Sequence, residues 1–260
     1  MMTVMFTDIA GFTSLAELLN PEELVEFLNA YLDDMIQIIF QQAGTVDKFI
    51  GDAIMAFWGA PVPQHDHALR ACLTALEMQK RLKDLRLQWR AEGKPPLHVR
   101  CGINTGSMIV GNIGGEGRYD YTVIGDSVNL ASRMEGANKE YGTEIMISES
   151  THSLVKEHLR TRELDLLQVK GKTKPVQVFE LIGTMDLAFT EEEERSLVLY
   201  AEGLQRFKER AWADTIDLMH QAYTLDPKCQ PAYLYIQRAQ EFLKNPPPDS
   251  WDGVFRLLNK

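Results

Sequence analysis

Cysteine is scarce in this chain and poorly placed for chemistry. There are 3 cysteines among 260 residues, Cys72, Cys101 and Cys229, and none forms a Cys-x-x-Cys pair. An odd, widely spaced set argues against a disulfide framework and against a zinc site, and fits a reducing compartment. Long apolar runs are missing too. No stretch of about 18 apolar residues is present, so no segment reads as a membrane-spanning helix. The N-terminus has no basic segment leading into an apolar stretch, as a secretory signal would. Positive charge is in deficit, with Lys+Arg 27 against Asp+Glu 37 and a formal net charge of −10. That balance argues against a nucleic-acid partner, whose backbone demands a cationic surface. It leaves room for a phosphate-bearing substrate held through metal ions. Together these absences predict a cytoplasmic protein, or the cytoplasmic part of a membrane-anchored one.

What is present is an ordinary globular composition, 45% hydrophobic and 25% charged, long enough for one large domain or two moderate ones. The chain starts almost inside an apolar run, Val4-Met5-Phe6, which suggests a fragment of a longer protein. Residues 3–8 read as a buried strand. Residues 12–19 read as a short helix, and Asn20-Pro21 caps a second whose apolar residues recur at helical spacing up to Gly44. Residues 45–50 and 53–58 read as strands joined by the turn Gly51-Asp52. A long helix is expected over 65–90. A strand pair, 97–103 and 108–112, is expected around Asn104-Thr105-Gly106, then a mobile glycine-rich stretch at 114–117 and a strand at 121–124. A helix over 126–141 and strands at 144–147, 164–169 and 176–181 complete an α+β sandwich.

Composition changes after Gly183. An acidic run, 191–194, precedes a helical stretch over 195–243, broken at Asp226-Pro227 and ended by Pro246-Pro247-Pro248. Its spacing resembles a tetratricopeptide-type helix pair plus one extra helix. That is too little for a free-standing solenoid, so the tail should dock on the first domain, on a twin subunit or on absent sequence. The expected division is a domain over 1–184, a linker over 185–195 and a helical tail over 196–260.

Two carboxylates stand where chemistry could gather. Asp8 ends the first strand and Asp52 sits in the hairpin turn. Singly each is an ordinary cap or turn residue. Together, on adjacent strand ends, they could converge on one or two divalent ions, and hard oxygen ligands suit magnesium or manganese. Lys48 lies four residues before Asp52. Thr122, Asn129 and Arg133 follow, with Asn129 and Arg133 on one face of the expected helix and Val128, Leu130, Ala131 and Met134 anchoring it.

Three segments, Phe6-Thr7-Asp8-Ile9-Ala10-Gly11-Phe12-Thr13, Asp47-Lys48-Phe49-Ile50-Gly51-Asp52-Ala53 and Val128-Asn129-Leu130-Ala131-Ser132-Arg133-Met134, together resemble the class III nucleotide cyclase catalytic domain. The resemblance covers about residues 2–183. It implies a ferredoxin-like βαββαβ core with extra strands, and head-to-tail pairing of two domains with both active sites at their interface. It further implies that Asp8 and Asp52, assisted by the Ile9 carbonyl, bind two Mg²⁺ or Mn²⁺ ions. Lys48, Thr122, Asn129 and Arg133 would come from the other subunit. One chain carries both halves of the site, so a homodimer is expected. Lys170 resembles the family's phosphate-contacting lysine, with Lys172 as the alternative, and Arg118 in the glycine-rich segment is a further candidate for reaching the phosphates.

In this family a ribose 3′-hydroxyl attacks the α-phosphorus of a nucleoside triphosphate. Adenine offers an acceptor at N1 and a donor amine at C6, and guanine reverses both. Lysine only donates, and a threonine hydroxyl can accept. Lys48 and Thr122 therefore match ATP and predict 3′,5′-cyclic AMP as product. Many adenylate cyclases of this class carry Asp at the position of Thr122; the Thr form resembles the subgroup that includes bicarbonate-responsive soluble cyclases. The segment 246–254 looks like one found after cyclase domains in some bacterial sensor proteins, which implies a regulatory or membrane-anchored sensor domain outside this chain.

Overall fold

The computed structural model describes residues 1–115, 117–169 and 174–257. These form two compact units, one of Met1–Asn138 and Glu144–His158, the other of Lys139–Thr143 and Leu159–Lys260.

The first unit begins with β1 (Met2–Ile9), α1 (Phe12–Leu18) and α2 (Pro21–Gln41). In α2 the Asn20 side chain accepts from the Glu23 N–H while the Glu23 carboxylate accepts from the Asn20 N–H, a reciprocal cap with Pro21 in the first turn. The hairpin β2 (Thr45–Ile50) and β3 (Ala53–Trp58) follows, then α3 (His67–Ala91) and β4 (Val99–Gly106). The strands run in the order β4-β1-β3-β2, and all three of these pairings are antiparallel. This is the order of a βαββαβ ferredoxin-like core, as expected. Burial on both faces explains why β1 reads as a nearly continuous apolar run: Val4, Met5 and Ile9 are all in the core.

Next come β5 (Ile109–Gly115), β6 (Arg118–Ile124), α4 (Asp126–Tyr141), β7 (Ile145–Ser148) and α5 (Glu149–Val155). β7 joins β4 in parallel. Here two expectations need correction. β4 and β5 do not pair with each other; β5 pairs with β6 in a separate ribbon. Asn104-Thr105-Gly106 is not a turn but the end of β4, opposite Val4, Thr3 and Met2. Its turn-favouring side chains are buried and satisfied: Asn104 donates to the Ser127 carbonyl at 2.8 Å, and the Thr105 and Thr3 hydroxyls lie 2.7 Å apart. Gly114 and Gly115 are likewise not loop but ladder residues, opposite Tyr119 and Arg118. The short helix α5 was not foreseen. At seven residues it offers too little periodicity to read.

The second unit holds β8 (Leu159–Gln168), β9 (Val176–Thr184), α6 (Glu191–Lys208), α7 (Trp212–Leu225), α8 (Gln230–Lys244) and β10 (Val254–Arg256). The acidic run is the first turn of α6, capped by Thr190, where carboxylates meet the positive end of the helix. Aromatic rings of Phe207, Trp212, Phe242 and Trp251 fill the space between the helices. The tail meets β8 directly, through the Tyr235 hydroxyl donating to the Leu164 carbonyl at 2.7 Å. Asp165 accepts from Tyr141 at 2.8 Å and from Arg238 at 2.6 Å, so the end of α4 is tied to α8 within this unit. Among the described residues no helix is long and apolar enough to cross a membrane.

One close approach fixes where α4 lies on the sheet of the first unit. A Cβ at Gly102 of β4 would stand 2.2 Å from the Ala131 carbonyl oxygen and 2.3 Å from the Glu135 nitrogen. Both neighbours are helix backbone and cannot yield by rotating. Gly102→Ala should therefore cost about 1–3 kcal/mol or more by overpacking, read as a lower thermal midpoint. An unchanged midpoint would contradict this contact.

Candidate active site

The strand register builds the acidic end. Asp8 lies near the end of β1, opposite Arg100 on β4, with β3 on its other side. The β2–β3 turn brings Asp52 to the same place. Gly51 takes a left-handed φ of 66° there, which glycine adopts without steric cost. The Asp52 carboxylate accepts the Ile9 N–H at 3.1 Å, so the turn is pinned to the end of β1. Arg100 reaches Asp8 at 3.3 Å through one nitrogen and Glu135 of α4 at 3.3 Å through another. Two carboxylates thus share one guanidinium.

The electrostatics follow from that crowding. Burial, with the like charge of Asp8 behind it, raises the Asp52 carboxyl above its ordinary range. Glu135 is pushed up to about 7, mainly by burial and then by Asp8, against the pull of Arg100. A site that resists its own negative charge in this way suits cations. Asp8, Asp52 and the Ile9 carbonyl offer hard oxygen donors of the right kind for Mg²⁺ or Mn²⁺. Among the described residues no group of three or more His, Cys, Asp or Glu is arranged to hold a metal. Ions bound at this pair would need ligands from the substrate, and phosphate oxygens are the natural source.

A second group of residues forms a cleft of about 580 Å³ in the same unit. Lys48, Asp120, Thr122 and Asn129 give it polar edges; Ile50, Met55, Val123 and Val128 give it an apolar floor. Neither Asp8 nor Asp52 lines it. Val128, Ala131 and Met134 are buried as expected, and Val128 and Ala131 pack with Met2, Val4, Met55 and Phe57. That packing leaves Asn129 exposed and Arg133 partly exposed one turn further along α4. Arg133 has no ion pair or hydrogen bond among the described residues. Within one chain, then, the two groups predicted to share a substrate stand apart. Lys170 and Lys172 lie outside the described residues, as does the side chain of Arg118.

Three residues beside these groups escaped the sequence reading. The Asp47 side chain is buried beside Lys48 and accepts the Thr122 hydroxyl at 2.6 Å and the Val123 N–H at 3.2 Å. Arg100 and Glu135 flank Asp8. Register pairing of β1 with β4 is the signal that would have found Arg100. No local pattern marks the other two.

Known proteins share this fold and sequence. The family model described as the adenylate and guanylate cyclase catalytic domain matches residues 1–183. Adenylate cyclase 1 of Rhizobium meliloti (strain 1021) is 38% identical over 190 residues, which is 73% of this chain and 29% of that protein. The crystal structure of the adenylyl cyclase CyaB from P. aeruginosa shares 44% identity at a TM-score of 0.67, covering 72% of this chain and 96% of that one. The guanylyl cyclase Cya2 shares 38% identity at a TM-score of 0.65, covering 73% and 96%. The chain therefore belongs to the class III adenylate and guanylate cyclase catalytic domain family, with the mixed α+β fold of that family. It spans less than a third of the length of the Rhizobium relative.

The raised Glu135 carboxyl gives a pH signature. Without divalent ions, folded Glu135 keeps its proton up to about pH 7, while the unfolded chain releases it near the ordinary 4.5. As pH rises through that window the unfolded state is favoured progressively, so wild type loses stability relative to Glu135→Gln. Below the window the difference in this contribution disappears. Urea unfolding of both proteins below, within and above the window should show that drift. A gap that stays constant would contradict the placement of Glu135.

Proposed function

We propose that this chain is the catalytic part of an adenylate cyclase that converts ATP to 3′,5′-cyclic AMP and pyrophosphate at a homodimer interface. The observation that carries the substrate choice is the pairing of Lys48 and Thr122 in one cleft. Lys48 donates to adenine N1, and the Thr122 oxygen accepts the C6 amine. The apolar floor of Ile50, Met55, Val123 and Val128 suits a purine ring. Guanine would set its N1–H against a lysine that has only donors.

The division of the site supports the dimer. Asp8 and Asp52 occupy one edge of a chain, while Lys48, Thr122 and Asn129 line a separate cleft. Two copies would let one chain's acids close on the triphosphate whose base the other chain reads. Asn129 then holds the ribose so that its 3′-hydroxyl lies in line with the α-phosphorus. Arg133 stabilises the charge that grows on the α-phosphate, a task its planar fork of donors fits better than lysine would. Among the described residues it has no ion pair or hydrogen bond, which leaves it available for that role. Asp8, Asp52 and the Ile9 carbonyl would hold two Mg²⁺ or Mn²⁺ ions, which when bound lower the pKa of the attacking hydroxyl and neutralise the leaving pyrophosphate. Arg100 holds the Asp8 carboxylate in place. Little covalent chemistry falls to the protein, so positioning dominates.

A guanylate cyclase is the alternative reading, since Cya2 matches the fold almost as well; Lys48 weighs against it. A catalytically silent module is disfavoured because Asp8, Asp52, Asn129 and Arg133 are all present. Cyclic nucleotide formation from ATP and from GTP, with Mg²⁺ and with Mn²⁺, across a range of protein concentration, tests the proposal. ATP should be preferred, and specific activity should rise with concentration as copies pair. Preference for GTP would overturn the base assignment, and activity independent of dilution down to the monomer would overturn the shared site.

A further inference from the structure

A threonine hydroxyl can donate as readily as it accepts, so Thr122 alone does not decide between an amine and an oxo group at C6. Something must hold its proton. Asp47 is the residue in position to do so. Its side chain is fully buried, and a carboxylate offers only acceptors. Its Oδ2 takes the Thr122 hydroxyl proton at 2.6 Å and the Val123 N–H at 3.2 Å. Its Oδ1 lies 3.2 Å from Lys48 Nζ, yet that oxygen has no aligned hydrogen bond. The contact with Lys48 is therefore Coulombic, and the ammonium keeps its donors for a ligand.

Neighbouring residues of a regular strand point to opposite faces, so Asp47 and Lys48 should not reach one neighbourhood. The ladder between β2 and β3 shifts register between Val46 and Lys48. A bulge at Asp47 re-aims the pair, a device common beside active sites.

We infer that Asp47 is a specificity-determining positioning residue: by taking the Thr122 proton it fixes that hydroxyl as an acceptor, which selects a 6-aminopurine over a 6-oxopurine nucleotide. The inference rests on the adenylate reading and deepens it. Asp47 acts through Thr122 and Lys48 and need not touch the substrate.

The test compares kcat/KM for ATP and for GTP in wild type, Asp47→Ala and Asp47→Asn. Asp47→Ala frees the Thr122 hydroxyl to rotate and donate, so the preference for ATP should fall about tenfold, the worth of one hydrogen bond. Asp47→Asn should keep most of the preference, because its amide oxygen can accept from both Thr122 and Val123. A residue that served only folding would lower both substrates in parallel. An Asp47→Ala ratio equal to that of wild type overturns the inference. Removing the partner of the buried Val123 N–H puts Asp47→Ala at risk of misfolding, so a second arm uses wild type alone. Purine riboside triphosphate, which lacks the C6 amine, should be used about tenfold less well than ATP; equal use overturns the inference. The two readings fail separately. Wild type that prefers GTP sinks the adenylate assignment, and wild type that prefers ATP with an unmoved Asp47→Ala ratio sinks the role of Asp47 alone.

Discussion

The Asp52 carboxylate is held at the end of β1 by the Ile9 N–H, where burial first and the charge of Asp8 after it raise it above its ordinary range, and the acidic end of the site depends on that placement. The fold offers the pair little choice of position. β1 is the central strand of its core, held on both sides, and the Ile9 N–H ties the turn to its end. Arg100 relieves one acid but is shared with Glu135. The remaining negative charge favours divalent cations, and it is through such ions that a triphosphate would be held in a protein whose overall charge repels phosphate.

The same scaffold keeps the residues proposed to read the base elsewhere. α4 sits on the sheet with backbone against Gly102, which places Asn129 and Arg133 on the helix's open side and Glu135 on the acidic side. One helix thereby serves both groups of residues without bringing them together. The cleft with Lys48 and Thr122 completes its own polar network through Asp47. Each group is finished locally, and neither contains all the chemistry. That division is the physical ground for the proposal of a site assembled from two copies.

Much of this was legible in the sequence because local signals and tertiary demands agreed. The Asn20-Pro21 cap, the β2–β3 hairpin around Gly51-Asp52 and the helix over 126–141 all emerged with nearly their observed bounds. The motif residues Asp8, Asp52, Lys48, Thr122 and Asn129 fell on the elements expected of them. Apart from the short helix α5, the failures share one cause, which is that long-range partners overrode local preference. Asn104 and Thr105 look like turn residues but find buried partners on Ser127 and Thr3 and continue a strand. The glycines at 114 and 115 look mobile but pair across a ribbon. Asp47 reads as one of two adjacent opposite charges in its strand. Only the bulge reveals that it shares a neighbourhood with Lys48 and Thr122. β10, three residues beyond the proline run, owes its existence to β8.

The central claim is that acids from one copy and the arginine and asparagine from another close on one nucleotide. Mixing two inactive variants tests it most directly: Asp8→Ala with Asp52→Ala in one chain, Arg133→Ala in the other, both verified as folded and paired. Each homodimer should be inactive, and the mixed dimer should regain one intact site and a substantial part of wild-type cyclic AMP formation. A mixed dimer that is demonstrably formed and stays as inactive as its parents would contradict the shared site.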